Sequence, residues 1–155
     1  TLLRIRRTLR DEIRRILNKV NATAILVTHD TDDALAIGDR IAIFRDGKVE
    51  QISTPGKIYH DPKNGYCAQL FGPANRFEGD RWVRPEDMEL LNATEDGAVA
   101  VKIDSFRDAG RHREVMVHPA DTPDPLNPDR WTIYVSSDRE IRPGTKGWVR
   151  IKDAK

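Results

Sequence analysis

The spacing of apolar residues changes once along this chain, at Gly72-Pro73-Ala74-Asn75, and that change limits the fold more than any single motif does. Before it, apolar residues recur at three- and four-residue steps or in short unbroken runs. After it they alternate with other residues. A helix repeats every 3.6 residues and a strand every two, so a change of period is a change of architecture. The chain therefore divides into an α/β part, residues 1–75, and a β-rich part, residues 76–155. The charge balance shifts at nearly the same place. Residues 1–77 carry 13 Lys/Arg against 9 Asp/Glu, whereas residues 78–155 carry 13 against 16.

In the first part, Leu2, Ile5, Leu9, Ile13, Ile16, Leu17 and Val20 form one apolar stripe on a helix of about five turns. Asn18 and Asn21 suit its termination. The unbroken run Thr23–Thr28 predicts a strand buried on both faces, as in a parallel sheet. Asp30-Thr31-Asp32-Asp33 then opens a helix through Ala34, Leu35 and Ile37, with acidic residues suited to its positive end. Gly38 ends it. Ile41–Phe44 reads as a strand, Asp46-Gly47 as a tight turn and Val49–Ile52 as the returning strand. Thr54-Pro55 starts a short helix with Ile58 and Tyr59 on its buried side. Pro62 stops it, and Tyr66, Cys67, Leu70 and Phe71 mark one more helix.

In the second part, alternation at Val99–Ile103, Val115–Val117, Trp131–Val135 and Trp148–Ile151 predicts a small all-β unit, a partly closed, OB-like barrel. Turn residues separate the strands at Asp96-Gly97, Ala109-Gly110 and Pro143-Gly144. Four prolines between Pro119 and Pro128 read as a loop.

Composition removes several classes. A single cysteine, Cys67, gives no internal disulfide framework and fits a reducing compartment. No apolar run reaches the roughly 18 residues that suggest a membrane span. The arginine-rich opening (Arg4, Arg6, Arg7, Arg10, Arg14 and Arg15) fits either a solvated helix face or a contact with a partner subunit or phosphate. A single-strand nucleic-acid barrel needs a basic groove with stacking aromatics, and the β-rich half is net negative, so no nucleic-acid partner is expected.

His29 is the sharpest candidate for chemistry. It follows an apolar strand and precedes a helix N-terminus, the place where ligands bind in open α/β sheets and where anions are attracted. An imidazole there can hydrogen-bond a phosphate oxygen or an attacking water. Position alone favours an ordinary loop residue over a ligand-binding one. His29 with Asp30, Asp32 and Asp33 has metal-ligand types without metal-ligand spacing, so no metal is expected. His60, His112 and His118 have no supporting pattern, and Cys67 reads as core. Neither a Gly-x-Ser-x-Gly elbow nor the phosphate-binding G-x-x-x-x-G-K-[ST] loop occurs.

Taken in order, several segments resemble the ATP-binding subunits of ABC-type importers. Val27-Thr28-His29-Asp30, Ala34-Leu35 and Asp39-Arg40-Ile41 resemble the family's switch-histidine segment. Phe44–Gln51 is similar to the hairpin that follows it, and Thr54-Pro55, Ile58-Tyr59 and Pro62 to the next element. Phe71–Phe77 resembles the exit from the nucleotide-binding domain, and Val83-Arg84-Pro85-Glu86-Asp87 the Arg-Pro-Glu motif of the regulatory domain beyond. The resemblance extends to the subgroup that imports sugars, polyamines, ferric iron, sulfate or molybdate, although the tail is shorter than in many sugar importers.

The resemblance implies that residues 1–75 are the C-terminal part of an ATPase domain and residues 76–155 a regulatory domain. It implies a fragment beginning after the catalytic strand, with ATP and Mg bound by the full-length parent and none by this piece, which alone should be inactive. His29 would contact the γ-phosphate and help position the attacking water. The implied partners are a second copy, the membrane-spanning permease subunits and, indirectly, a solute-binding protein. The implied location is cytoplasmic, against the inner face of the membrane. The alternative is a non-catalytic module for dimerisation or regulatory ligand binding.

Overall fold

The computed structural model describes residues 2–77, 79–121 and 129–152. Two compact units result, Thr1–Phe71 and Gly72–Lys155.

The first unit opens with α1, Leu2–Val20. Asn21 ends it in a left-handed conformation, φ +50°, which Asn tolerates better than most residues. Helix α2 spans Thr31–Ile37. Strands β1 (Ile41–Arg45) and β2 (Lys48–Ser53) form an antiparallel hairpin with a register shift at Ile43/Phe44. Its two-residue turn, Asp46-Gly47, has φ +50° and +74°, the positive pair that matches the twist of a tight hairpin. Helices α3 (Pro55–His60) and α4 (Gly65–Leu70) follow, with Pro55 in the first turn of α3. The Asn64 side chain caps α4 by accepting from the Cys67 N–H at 3.0 Å. Gln51 fixes the intervening loop to β2, donating to the Asp61 carbonyl at 3.0 Å and accepting from the Lys63 N–H at 2.9 Å. Ile41, Ile43, Ile58, Cys67 and Phe71 form the core, with Ala34, Leu35 and Tyr59 packed against it.

The strand expected at Thr23–Thr28 is not formed. Residues 22–28 are neither helix nor strand, and the side chains of Ile25 and Val27 are 91% and 92% exposed. The physical reason is the ladder: a strand exists by pairing, and no described strand lies beside this run to take its N–H and C=O groups. The apolar stripe of α1 is likewise uncovered at Ile5, Leu9, Ile13, Ile16 and Val20.

The second unit begins with a short hairpin, β3 (Asn75–Phe77) and β4 (Arg81–Val83), and a 3-10 turn at Pro85–Asp87. Strands β5 (Met88–Leu91), β6 (Val99–Asp108), β7 (His112–Pro119), β8 (Trp131–Ser136) and β9 (Lys146–Ile151) form one antiparallel sheet in the order β5-β9-β6-β7-β8. Alternation places Val101, Ile103, Val115, Val117, Ile133 and Val149 in one core. The sheet curls until its edges β5 and β8 come near each other, but no ladder joins them, so the expected barrel is not closed. Part of the β8 edge is occupied instead by the Asn75 side chain, which bonds the backbone of Thr132. Of the proline-rich loop expected between Pro119 and Pro128, residues 122–128 lie outside the described residues.

Candidate functional site

His29 stands in a bend between the unpaired run and α2, and its side chain is exposed. The residues on either side of it are held locally. Thr28 Oγ1 accepts from the Asp30 N–H at 3.0 Å, and Asp30 Oδ1 caps α2 by accepting from the Asp33 N–H at 3.1 Å. The imidazole has no hydrogen-bond partner among the described residues, so both ring nitrogens are available to a ligand.

The turn is tied to α1 by arginines. Arg10 Nε donates to Asp33 Oδ1, and Arg10 Nη2 reaches Asp30 Oδ1 at 3.4 Å. The hydrogen bond that Arg10 donates to Asp33, helped by the charges of Asp33, Asp30 and Asp32, raises the Arg10 pKa further above its usual value. One turn along, Arg14 donates to the Ala36 carbonyl at 3.0 Å and lies 3.6 Å from Asp39. Arg10 and Arg14 are therefore bridges rather than solvated face. The signal was present in the sequence, because residues four apart share one side of a helix and an acidic run waits on α2. The same contacts account for the acidic residues. They cap α2 and hold Arg10, and they surround the positive end of α2 with carboxylates instead of leaving it open to an anion.

The other candidates fall elsewhere. Cys67 is fully buried, and burial raises its thiol pKa. His60 packs edge-on against Tyr59, with ring centroids 5.0 Å apart. In the second unit, His112 lies against Tyr134, centroids 4.1 Å apart, and His118 Nδ1 is 2.8 Å from Asp104 Oδ1. The His118–Asp104 pair was not legible, because Asp104 reaches it from a register shift in β6 between Ile103 and Ser105. Among the described residues no three His, Cys, Asp or Glu side chains converge as metal ligands. A nucleotide fits this residue set only in part: His29 can supply one hydrogen bond to a phosphate oxygen, but no described loop cradles a phosphate chain.

No family model matches the chain. Individual relatives do. The spermidine/putrescine import ATP-binding protein PotA of Clostridioides difficile is 32% identical over 90% of this chain and 46% of its own length. PotA of Desulfitobacterium hafniense is 29% identical over 77% of this chain and 42% of its own length. The sulfate/thiosulfate import ATP-binding protein CysA of Caulobacter vibrioides is 41% identical over 48% and 22%. The chain is a homologue of the ATP-binding subunits of ABC-type importers. It spans less than half the length of these importer relatives. Among the described residues no helix is long and apolar enough to cross a membrane.

Proposed function

We propose that this chain forms part of the ATP-hydrolysing subunit of an ABC importer, with His29 as its contribution to the nucleotide site. On this reading the first unit completes an ATPase domain, and the second is an OB-like regulatory domain. The observation that carries the proposal is the combination at residues 25–29. An imidazole without a partner follows a run whose Ile25 and Val27 side chains are almost fully exposed. An exposed strand-like run and an uncovered apolar stripe on α1 both fit a first unit that docks a further β-sheet. Docked there, Thr23–Thr28 becomes the buried strand that its sequence describes, and His29 comes to a strand's carboxyl end, where phosphate ligands of such sheets lie.

The subunit works as a homodimer against permease subunits, with a solute-binding protein delivering cargo to them. Its ATP and Mg are held by loops other than those described. The names of the relatives make a polyamine or sulfate the first cargoes to test.

A chimera tests the reading. The matching segment of a polyamine importer's ATP-binding subunit is replaced by these 155 residues, and ATP turnover is measured with its permease in vesicles. The chimera should hydrolyse ATP, and His29→Ala should lower kcat much more than it weakens nucleotide binding. Unchanged turnover in a folded His29→Ala chimera would refute the role of His29.

A further inference from the structure

The outer face of the second unit carries a row of basic side chains across its sheet. Lys102 on β6 lies directly opposite Lys146 on β9 and directly opposite His118 on β7. Directly opposed residues of an antiparallel pair point to the same face. The buried residues on either side, Val101, Ile103, Val117 and Gly147, point inward, so the row points outward. Arg130 continues it just ahead of β8, with its Nε 3.6 Å from Asp104 Oδ2. Asp104 is committed to His118 and Arg130. Lys102 and Lys146 have no carboxylate partner among the described residues. Like charges placed directly opposite each other repel, so this pair costs the free protein stability. That cost stands out in a half of the chain with more acidic than basic residues.

The same face is not only charged. Trp148, two residues beyond Lys146 on β9, faces outward opposite Ala100. Met116 is exposed on β7, two residues before His118. The cationic row therefore lies between a partly exposed tryptophan and an exposed methionine, both enriched in the cores of protein interfaces.

We infer that this face docks an acidic amphipathic helix of a partner protein. Spacing favours a helix over an extended segment. Neighbouring strands place these basic side chains at intervals of roughly 4.8 Å. Carboxylates three or four residues apart on a helix rise by about 4.5–6 Å, whereas same-face residues of a strand are about 6.8 Å apart. Apolar residues of that helix beside its acidic stripe would cover Trp148 and Met116. Nothing in this inference depends on the reading of His29.

The test uses the full 155-residue chain and a synthetic helical peptide with glutamates at every third or fourth position and leucines beside them. Binding is followed by fluorescence anisotropy, and the contact is mapped through the Trp148 indole NMR signal. The peptide should bind at low salt, shift the Trp148 signal and weaken as salt screens the charges. Lys102→Glu and Lys146→Glu should each weaken binding at least about tenfold, as expected where rows of charge meet. Neither change should unfold the protein, because each turns a like-charge pair into an opposite-charge pair, and thermal melting checks this. A peptide of the same composition with its glutamates scattered should bind poorly. The inference is overturned if the peptide fails to bind, or if the charge reversals leave its affinity unchanged. It is equally overturned if a single-stranded oligonucleotide binds more tightly through Lys102 and Lys146, or if sedimentation shows that the row joins two copies of this chain.

Discussion

The Asn75 carboxamide bonds both backbone groups of Thr132: its Oδ1 accepts from the Thr132 N–H at 2.8 Å and its Nδ2 donates to the Thr132 carbonyl at 2.7 Å. One side chain thus acts as one residue of a neighbouring strand at the β8 edge. The adjoining Trp131 indole donates to the Arg76 carbonyl at 2.7 Å, extending the closure. Unpaired edges invite pairing with other chains, and β8 is guarded here by its own hairpin. Self-association of this unit through β8 is disfavoured for the same reason.

Replacing Asn75 by Ala should therefore destabilise the second unit. Asn75 is only 5% exposed, so water replaces it poorly. Two backbone groups left unpaired near the core should cost about 2–4 kcal/mol together. Urea unfolding followed by tryptophan fluorescence measures this, and a loss under about 0.5 kcal/mol would mean that solvent reaches Thr132 freely.

Arg84 gives a second prediction. It is 2% exposed, and its Nη1 donates to the carbonyls of Gly72 at 3.1 Å and Pro73 at 2.9 Å. These bonds fix the start of the second unit, which gives the Arg-Pro-Glu motif a structural reason. An ammonium is more strongly hydrated than a guanidinium and costs more to bury, so Arg84→Lys should cost about 1–3 kcal/mol by the same urea assay, and Arg84→Met, which leaves both carbonyls unpaired, at least as much. A neutral Arg84→Lys would show that one ammonium satisfies both carbonyls.

What was legible in the sequence was whatever local chemistry determines. Asp46-Gly47 specifies a tight turn by itself, and Asp30 caps α2 by itself, so both were found where expected. The alternation from Val99 to Ile151 placed four of the sheet's five strands, because one buried face imposes it. Thr23–Thr28 was misread because a strand is a relation between two segments, and the sequence of one segment does not contain its neighbour. Asn75, Arg84 and Asp104 act through partners distant in sequence or through a register shift, neither of which leaves a periodic trace. At the candidate site only the place of His29 just ahead of α2 was legible, since the strand expected before it is not formed, and the tether of its neighbours Asp30 and Asp33 to Arg10 was visible only as a basic run near an acidic one.

Cys67 should be chemically quiet in the folded protein. Its side chain is fully buried, and desolvation, with a further contribution from the charge of Glu50, raises its pKa. The folded pKa lies above the unfolded one, so the stability contributed is fully present below the ordinary thiol range near about 8.5 and is lost as pH rises through the folded value. The thiolate is the reactive form. Iodoacetamide at pH 8 should therefore modify native Cys67 at least about a hundredfold more slowly than the urea-unfolded chain, since reaction must wait for opening. Comparable rates by mass spectrometry would show that α4 opens readily.

Ile25 offers the test that separates the two possible fates of the unpaired run. In the 155-residue chain its side chain is 91% exposed, so Ile25→Ala removes almost no burial. Stability should change by less than about 0.5 kcal/mol, the usual range for surface substitutions. In the importer chimera, where the proposal places Thr23–Thr28 inside a sheet, the same substitution deletes buried methyl groups. It should then cost about 2–5 kcal/mol, the range for an isoleucine cut to alanine in a core. Thermal unfolding of both proteins, each with and without the substitution, gives the comparison. A large loss in the 155-residue chain would mean that the run is already covered there. A negligible loss in the folded chimera would mean that the run stays outside the sheet, and His29 would lose the strand end on which its proposed role depends.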